Sequence, residues 1–170
     1  MTSPTCVIVG PPGAGKSTVG ALVAARLGVA FRDADDDIEA VAGKPIPDIF
    51  VDDGEPAFRT LERAAVARAL ESFDGVLALG GGAILAEETR QRLVGQTVVY
   101  LSVELPDALS RIGLGAGRPL LTVNPRATLK FLLDQRRPLY QEVATITVVT
   151  DGRKPEEIAD EVAAAIKPIG

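Results

Sequence analysis

The chain has 170 residues, enough for one domain with a sizeable core, and its 46% apolar and 24% charged residues are ordinary globular proportions. A formal net charge of −5 and a pI near 4.8 argue against a sustained basic surface for nucleic acid. With no histidine there is no His base and no His-ligated zinc, and with one cysteine, Cys6, there is no internal disulfide. Acid–base work falls to carboxylates, Lys16 or water.

Thr5–Val9 reads as a buried strand with Cys6 as a small core hydrophobe. Gly10-Pro11-Pro12-Gly13-Ala14-Gly15-Lys16-Ser17 follows it and opens a helix carrying Val19, Leu22, Val23 and Leu27 at helical spacing, closed by Gly28. Strand, glycine loop and helix form the context that makes G-x-x-x-x-G-K-[ST] a phosphate site. The loop turns successive N–H groups inward, the helix start adds its positive end, Lys16 supplies a mobile charge, and Ser17 offers a hydroxyl to Mg²⁺. A nucleoside triphosphate is the expected ligand.

Val29–Phe31 is a short second strand running into Asp33, Asp35, Asp36 and Asp37. In extended chain Asp33 and Asp35 share a face, suited to one carboxylate supporting Mg²⁺ and one meeting an acceptor hydroxyl; Asp36 and Asp37 read as acids that favour a helix start. A short helix with Ile38 and Val41 ends at Gly43, and Pro45–Gly54 reads as a loop with one helical turn. Glu55–Ser72 is a helix with Phe58, Leu61, Ala65 and Ala69 on one face, and Arg59 lies three residues from Glu62. Gly75–Leu79 is a third buried strand that stops at Gly80-Gly81-Gly82, where backbone can approach a ligand closely.

Glu87–Leu93 is helical, Thr97–Leu101 is a fourth strand, and Pro106–Arg111 is a helix that starts on proline. The stretch 112–124 holds three glycines and Arg118 and reads as a mobile lid. Pro125–Ala144 is a helix interrupted at Pro138, Ile146–Val149 a fifth strand, and Pro155–Lys167 a final helix. Apolar strands alternating with helices predict one α/β domain, a parallel five-stranded sheet covered on both faces, with ligands beyond the carboxyl ends of the strands. The start of the chain lacks a signal-peptide pattern and no apolar run approaches the ~20 residues needed to span a bilayer, so a soluble cytoplasmic protein is expected, without membrane partner.

No D-x-x-G segment or N-K-x-D base reader is present, which disfavours a GTPase switch. The ordered set of motifs instead resembles the shikimate kinase family from about Thr5 to Ile166. It comprises the phosphate loop, Phe31-Arg32-Asp33-Ala34-Asp35 with Ile38-Glu39, Asp48-Ile49-Phe50, Gly54-Glu55, Phe58-Arg59, the triple glycine, Arg118-Pro119-Leu120-Leu121 and Arg136-Arg137-Pro138-Leu139-Tyr140. The resemblance implies a three-layer P-loop kinase fold and transfer of the ATP γ-phosphate to the 3-hydroxyl of shikimate, with Mg²⁺. It assigns nucleotide contacts to Gly13, Ala14, Gly15, Lys16, Ser17, Thr18, Arg111, Arg118, Arg153 and Pro155. Ser17 and Asp33 fall to Mg²⁺, and catalysis to Asp35, Lys16 and Arg118. Asp35, Arg59, Gly80, Gly81, Gly82 and Arg136 fall to shikimate, within a substrate-binding segment near 34–62, and Phe50 and Phe58 to the wall around its ring; Arg137 is expected to face solvent. A monomer is expected. Family members often carry Ser or Thr just before the triple glycine, where this chain has Ala78 and Leu79. The alternatives are a sibling kinase acting on gluconate or a nucleoside monophosphate, and a nucleotide-binding regulatory module without catalysis.

Overall fold

The computed structural model describes residues 3–112 and 124–166. Strands β1 (Cys6–Val9), β2 (Phe31–Asp33), β3 (Val76–Ala78), β4 (Val98–Ser102) and β5 (Ile146–Val149) form one sheet in the order β2-β3-β1-β4-β5, every pairing parallel. The central strand β1 sets Cys6 opposite Val76 and Val7 opposite Val98. Its side chains alternate between two cores, as the period of two demands. Cys6 and Ile8 join the cluster with Val19, Val23, Ile158 and Val162, whereas Val7 and Val9 join the cluster with Val66, Leu70, Leu77 and Tyr140. The first is covered by α1 (Lys16–Leu27) and α8 (Pro155–Ile166), the second by α4 (Glu55–Ser72). Helix α7 (Pro125–Val143) contributes Leu129, Leu132 and Leu133 to the first and Tyr140 to the second.

A third apolar cluster stands apart from the sheet. Ile38 of α2 (Ala34–Ala42), Ile46 and Ile49 of α3 (Ile46–Asp53), and Phe58 and Ala65 of α4 are all buried there, with the Phe50 and Phe58 rings 4.8 Å apart. The remaining helices are α5 (Glu87–Arg92) and α6 (Leu105–Ile112), and a 3-10 turn covers Ala83–Leu85.

Four expectations need correction. The segment Pro45–Gly54 is not a loop with one turn but contains α3, which starts on extended Pro45 and buries Ile46 and Ile49. Pro138 does not interrupt α7, since Leu133, Arg136 and Tyr140 are buried on both sides of it and keep the helix seated despite the lost N–H. The second strand begins at Phe31 rather than Val29, because β2 is an edge strand and takes the polar Arg32 and Asp33. Asp33 and Asp35 do not share a face of extended chain: Asp33 is the N-cap of α2, and Asp35, Asp36 and Asp37 occupy its first turn.

Candidate functional site

The phosphate loop leaves β1 at Val9 and feeds α1 at Lys16. Gly15 holds the turn at φ 85°, a left-handed conformation cheap only for glycine, and no side chain caps the helix start. With no side-chain acceptor at its start, this end of α1 favours an anion. Lys16 Nζ donates to the Pro11 carbonyl at 3.1 Å, folded back along the loop it would leave to meet phosphate.

Asp33 joins two elements. The Ser17 hydroxyl donates to its Oδ2 at 2.6 Å, and its Oδ1 accepts from the Asp35 backbone N–H at 2.9 Å. One carboxylate thus ties the start of α1 to the start of α2 and sets Asp35 beside the phosphate loop. Among the described residues no group of three or more His, Cys, Asp or Glu is placed to hold a metal. A hydroxyl beside one carboxylate suits Mg²⁺, which keeps several waters and takes its other oxygens from phosphate.

These parts open onto one cavity of about 600 Å³. Gly13, Ala14, Gly15, Lys16, Ser17 and Thr18 line it together with Asp33, Asp35, Gly80 and Gly81, and Arg111, Arg153 and Pro155 also contribute. Arg111 is fixed by donating to the Gly13 carbonyl at 3.2 Å and to Thr150 Oγ1 and the Thr150 carbonyl at 2.9 and 2.7 Å. It thereby bridges the phosphate loop to the end of β5. Ala78 and Leu79 are buried, and Leu79 lines the cavity.

Arg59, Gly82 and Arg136 are not in that lining. Arg59 sits against Gly82 so closely that a Cβ there would lie 2.5 Å from its Nη1. Its guanidinium donates to Glu62 Oε1 at 2.8 Å and Glu55 Oε2 at 3.3 Å, over the Phe58 ring at 5.2 Å. Its side chain is only 15% exposed, so it is no freely solvated surface pair. Arg136 is 5% exposed, a buried cation rather than a solvated helix end. Its neighbour Arg137 is 36% exposed and pairs with Glu104 at 3.5 Å, the outward orientation expected of it. Arg118 and residues 113–123 around it lie outside the described residues.

A family model described as "Shikimate kinase" matches residues 12–167. The chain belongs to the shikimate kinase family. A shikimate kinase from Salinispora arenicola is 71% identical over 164 residues, covering 96% of this chain and 98% of its relative. One from Streptomyces avermitilis is 59% identical over 98% of both chains. The solved shikimate kinase from Acinetobacter baumannii in complex with shikimate superposes with a TM-score of 0.92 at 39% identity, covering 98% of this chain and 93% of that one. Shikimate kinases are ATP-dependent and use Mg²⁺. A phosphate loop next to a hydroxyl–carboxylate pair suits both.

Some of the cavity escaped the sequence reading. Ile158 of α8 lines it, but at helical spacing with Val162 and Ile166 it reads only as core. Thr150 fastens Arg111, and nothing in its local sequence marks it. The Tyr140 hydroxyl donates to the Gly81 carbonyl at 2.5 Å, a contact across 59 residues that nothing in the sequence foretold.

Proposed function

We propose that the chain transfers the γ-phosphate of ATP to the 3-hydroxyl of shikimate, giving shikimate 3-phosphate and ADP. One observation carries this reading. The phosphate loop and Asp35 face a single cavity, joined through Asp33, while the half-buried Arg59 packs on the glycine turn at its edge. A phosphate donor and a carboxylate-bearing alcohol then meet across one wall.

In the proposed mechanism the loop amides and Lys16 hold the ATP phosphates. Ser17, with Asp33 behind it, would hold Mg²⁺, which neutralises charge on the phosphate oxygens when bound. Arg59 and Arg136 take the shikimate carboxylate, since a planar guanidinium matches a carboxylate with two parallel hydrogen bonds. Gly80, Gly81 and Gly82 offer backbone to the substrate, with Phe50 and Phe58 as apolar wall. Asp35 orients the attacking hydroxyl and receives its proton. In a loose phosphoryl transition state that proton leaves late, so positioning is the larger part of its work. Arg118 supplies charge to the transferring group, a role supported by its motif Arg118-Pro119-Leu120-Leu121. Arg111, Arg153 and Pro155 flank the adenine. We further propose one kinase domain acting as a monomer, since the phosphate loop, Asp33, Asp35, Gly80 and Gly81 of a single chain already line a common cavity. We place it in the cytoplasm, where ATP is available; among the described residues no helix is long and apolar enough to cross a membrane.

The test is ADP release from MgATP in the presence of shikimate, with gluconate and a nucleoside monophosphate as competing acceptors. Turnover with shikimate alone is expected. Turnover with another acceptor, or none with shikimate, overturns the reading.

A further inference from the structure

Tyr140 takes no part in the chemistry above, yet it is 1% exposed and its hydroxyl is spent on the triple glycine. Its ring stacks on Tyr100 of β4 with centroids 5.1 Å apart and an interplanar angle of 24°. The hydroxyl is therefore aimed by packing, and a buried phenol keeps such a partner because losing it is costly.

The acceptor is the Gly81 carbonyl, which shares a rigid trans peptide plane with the Gly82 N–H. Fastening the oxygen on one side fixes the direction of the N–H on the other. Three glycines in succession would otherwise let that plane rotate at little cost. The neighbouring carbonyls are also committed, that of Gly80 to the Ala83 N–H and that of Gly82 to the Leu85 N–H, both at 3.1 Å. Gly82 is in turn the residue against which the Arg59 guanidinium is pressed. Arg136 lies four residues before Tyr140 on α7, on the same helix face, and both are buried. One face of one helix thus presents the second arginine and holds the peptide that abuts the first.

We infer that Tyr140 is a positioning residue for the acceptor site, locking the Gly81–Gly82 peptide so that its N–H and the two arginines keep one mutual geometry. This rests on the reading of that corner as the shikimate site. It requires that loss of the hydroxyl weaken shikimate binding while sparing the nucleotide, because the N–H it aims belongs to Gly82, which does not line the cavity of the phosphate loop.

Tyr140→Phe removes the hydroxyl and keeps the ring stack. Calorimetric titration of the purified variant with shikimate is expected to show affinity reduced about three- to tenfold, the loss of one neutral hydrogen bond, with ADP affinity unchanged. A parallel loss of both affinities, or no loss for shikimate, overturns the inference. Wild-type protein that binds no shikimate overturns the functional reading with it; wild-type protein that binds beside an equally tight Tyr140→Phe overturns the inference alone. Should Tyr140→Phe not fold, the chain's having only two tyrosines permits a second measurement. In a Tyr100→Phe background, 3-fluorotyrosine occupies position 140 alone. Its fluorine resonance is expected to shift on adding shikimate and to stay in place on adding MgADP. An unmoved resonance with shikimate, or an equal shift with MgADP, sinks the inference.

Discussion

At the scale of single residues, the site depends on what is absent at Gly82 and on what charge is present at Asp35. A methyl group at Gly82 would meet the Arg59 guanidinium at 2.5 to 2.8 Å, closer than real Cβ contacts come. The guanidinium cannot give way freely, because Glu62 and Glu55 hold it. Gly82→Ala should therefore displace Arg59 and raise the shikimate KM about tenfold or more, the scale of one charged hydrogen bond. The ATP KM should not move, and steady-state kinetics with each substrate varied in turn will show it. Backbone strain is not the cause, since Gly82 has φ −99°. Asp35→Asn preserves shape and deletes the charge that, in the proposed mechanism, orients the hydroxyl and takes up its proton. Turnover should fall about 10²-fold, the lower end for a general base. A variant as active as its parent would remove Asp35 from the chemistry.

At the scale of elements, Asp33 is a structural link that the proposed mechanism also makes a site residue. It caps α2 through the Asp35 N–H and accepts from Ser17 on α1. Two substitutions separate the roles. Asp33→Ala loses the cap, and urea unfolding should register about 1 kcal/mol of destabilisation. Asp33→Asn keeps a cap acceptor, as asparagine and aspartate cap equally well. It should unfold within a few tenths of a kcal/mol of the parent, yet demand about tenfold more Mg²⁺ for half-maximal turnover, because a neutral amide attracts a divalent cation poorly. An unaltered Mg²⁺ requirement in Asp33→Asn would leave Asp33 a purely structural link. This double duty also explains what the sequence could and could not tell. The four aspartates were legible as a cluster, and so were the phosphate loop, the five strands and the triple glycine, because each has its own local chemistry. The extended-chain account of Asp33 and Asp35 failed because a helix begins between them, a decision made by Ile38 packing on α3 and α4. The helix α3 was hidden for the same reason: it has no polar side-chain cap, and its burial of Ile49 depends on Phe58, which arrives from the next element. Pro138 misled because local rules penalise proline inside a helix, whereas here buried neighbours on α7 outweigh one missing bond. Arg59 and Arg136 were each unremarkable locally; the burial of Arg136 and the close approach of Arg59 to Gly82 are what set them apart.

At the scale of the whole molecule, the chain's one cysteine lies where the entire sheet must open to reach it. Cys6 is fully buried on β1, with β3 on one side and β4 on the other. Burial pushes its thiol up to about 12, and the reactive species toward an alkylating reagent is the thiolate. In the unfolded chain the thiol returns to its ordinary value of 9.0. Its preference for the native state is thus level below pH 9 and is lost between pH 9 and about 12, so stability should fall with pH across that window. Near pH 8 the native protein should resist iodoacetamide, and labelling should proceed only through molecules that have opened. Ligands that bind the folded state alone lower the open population by the factor 1 + [L]/Kd. MgADP at a hundred times its Kd should then slow labelling of Cys6 about 100-fold if opening is global. Shikimate, bound as proposed at Arg59, Arg136 and the triple glycine, should slow it by the same law. Labelling that ignores both ligands would mean that β1 opens locally while the site stays intact, and would break the picture of one cooperative sheet carrying both halves of the site. Mass spectrometry of the alkylated chain over time distinguishes the two outcomes.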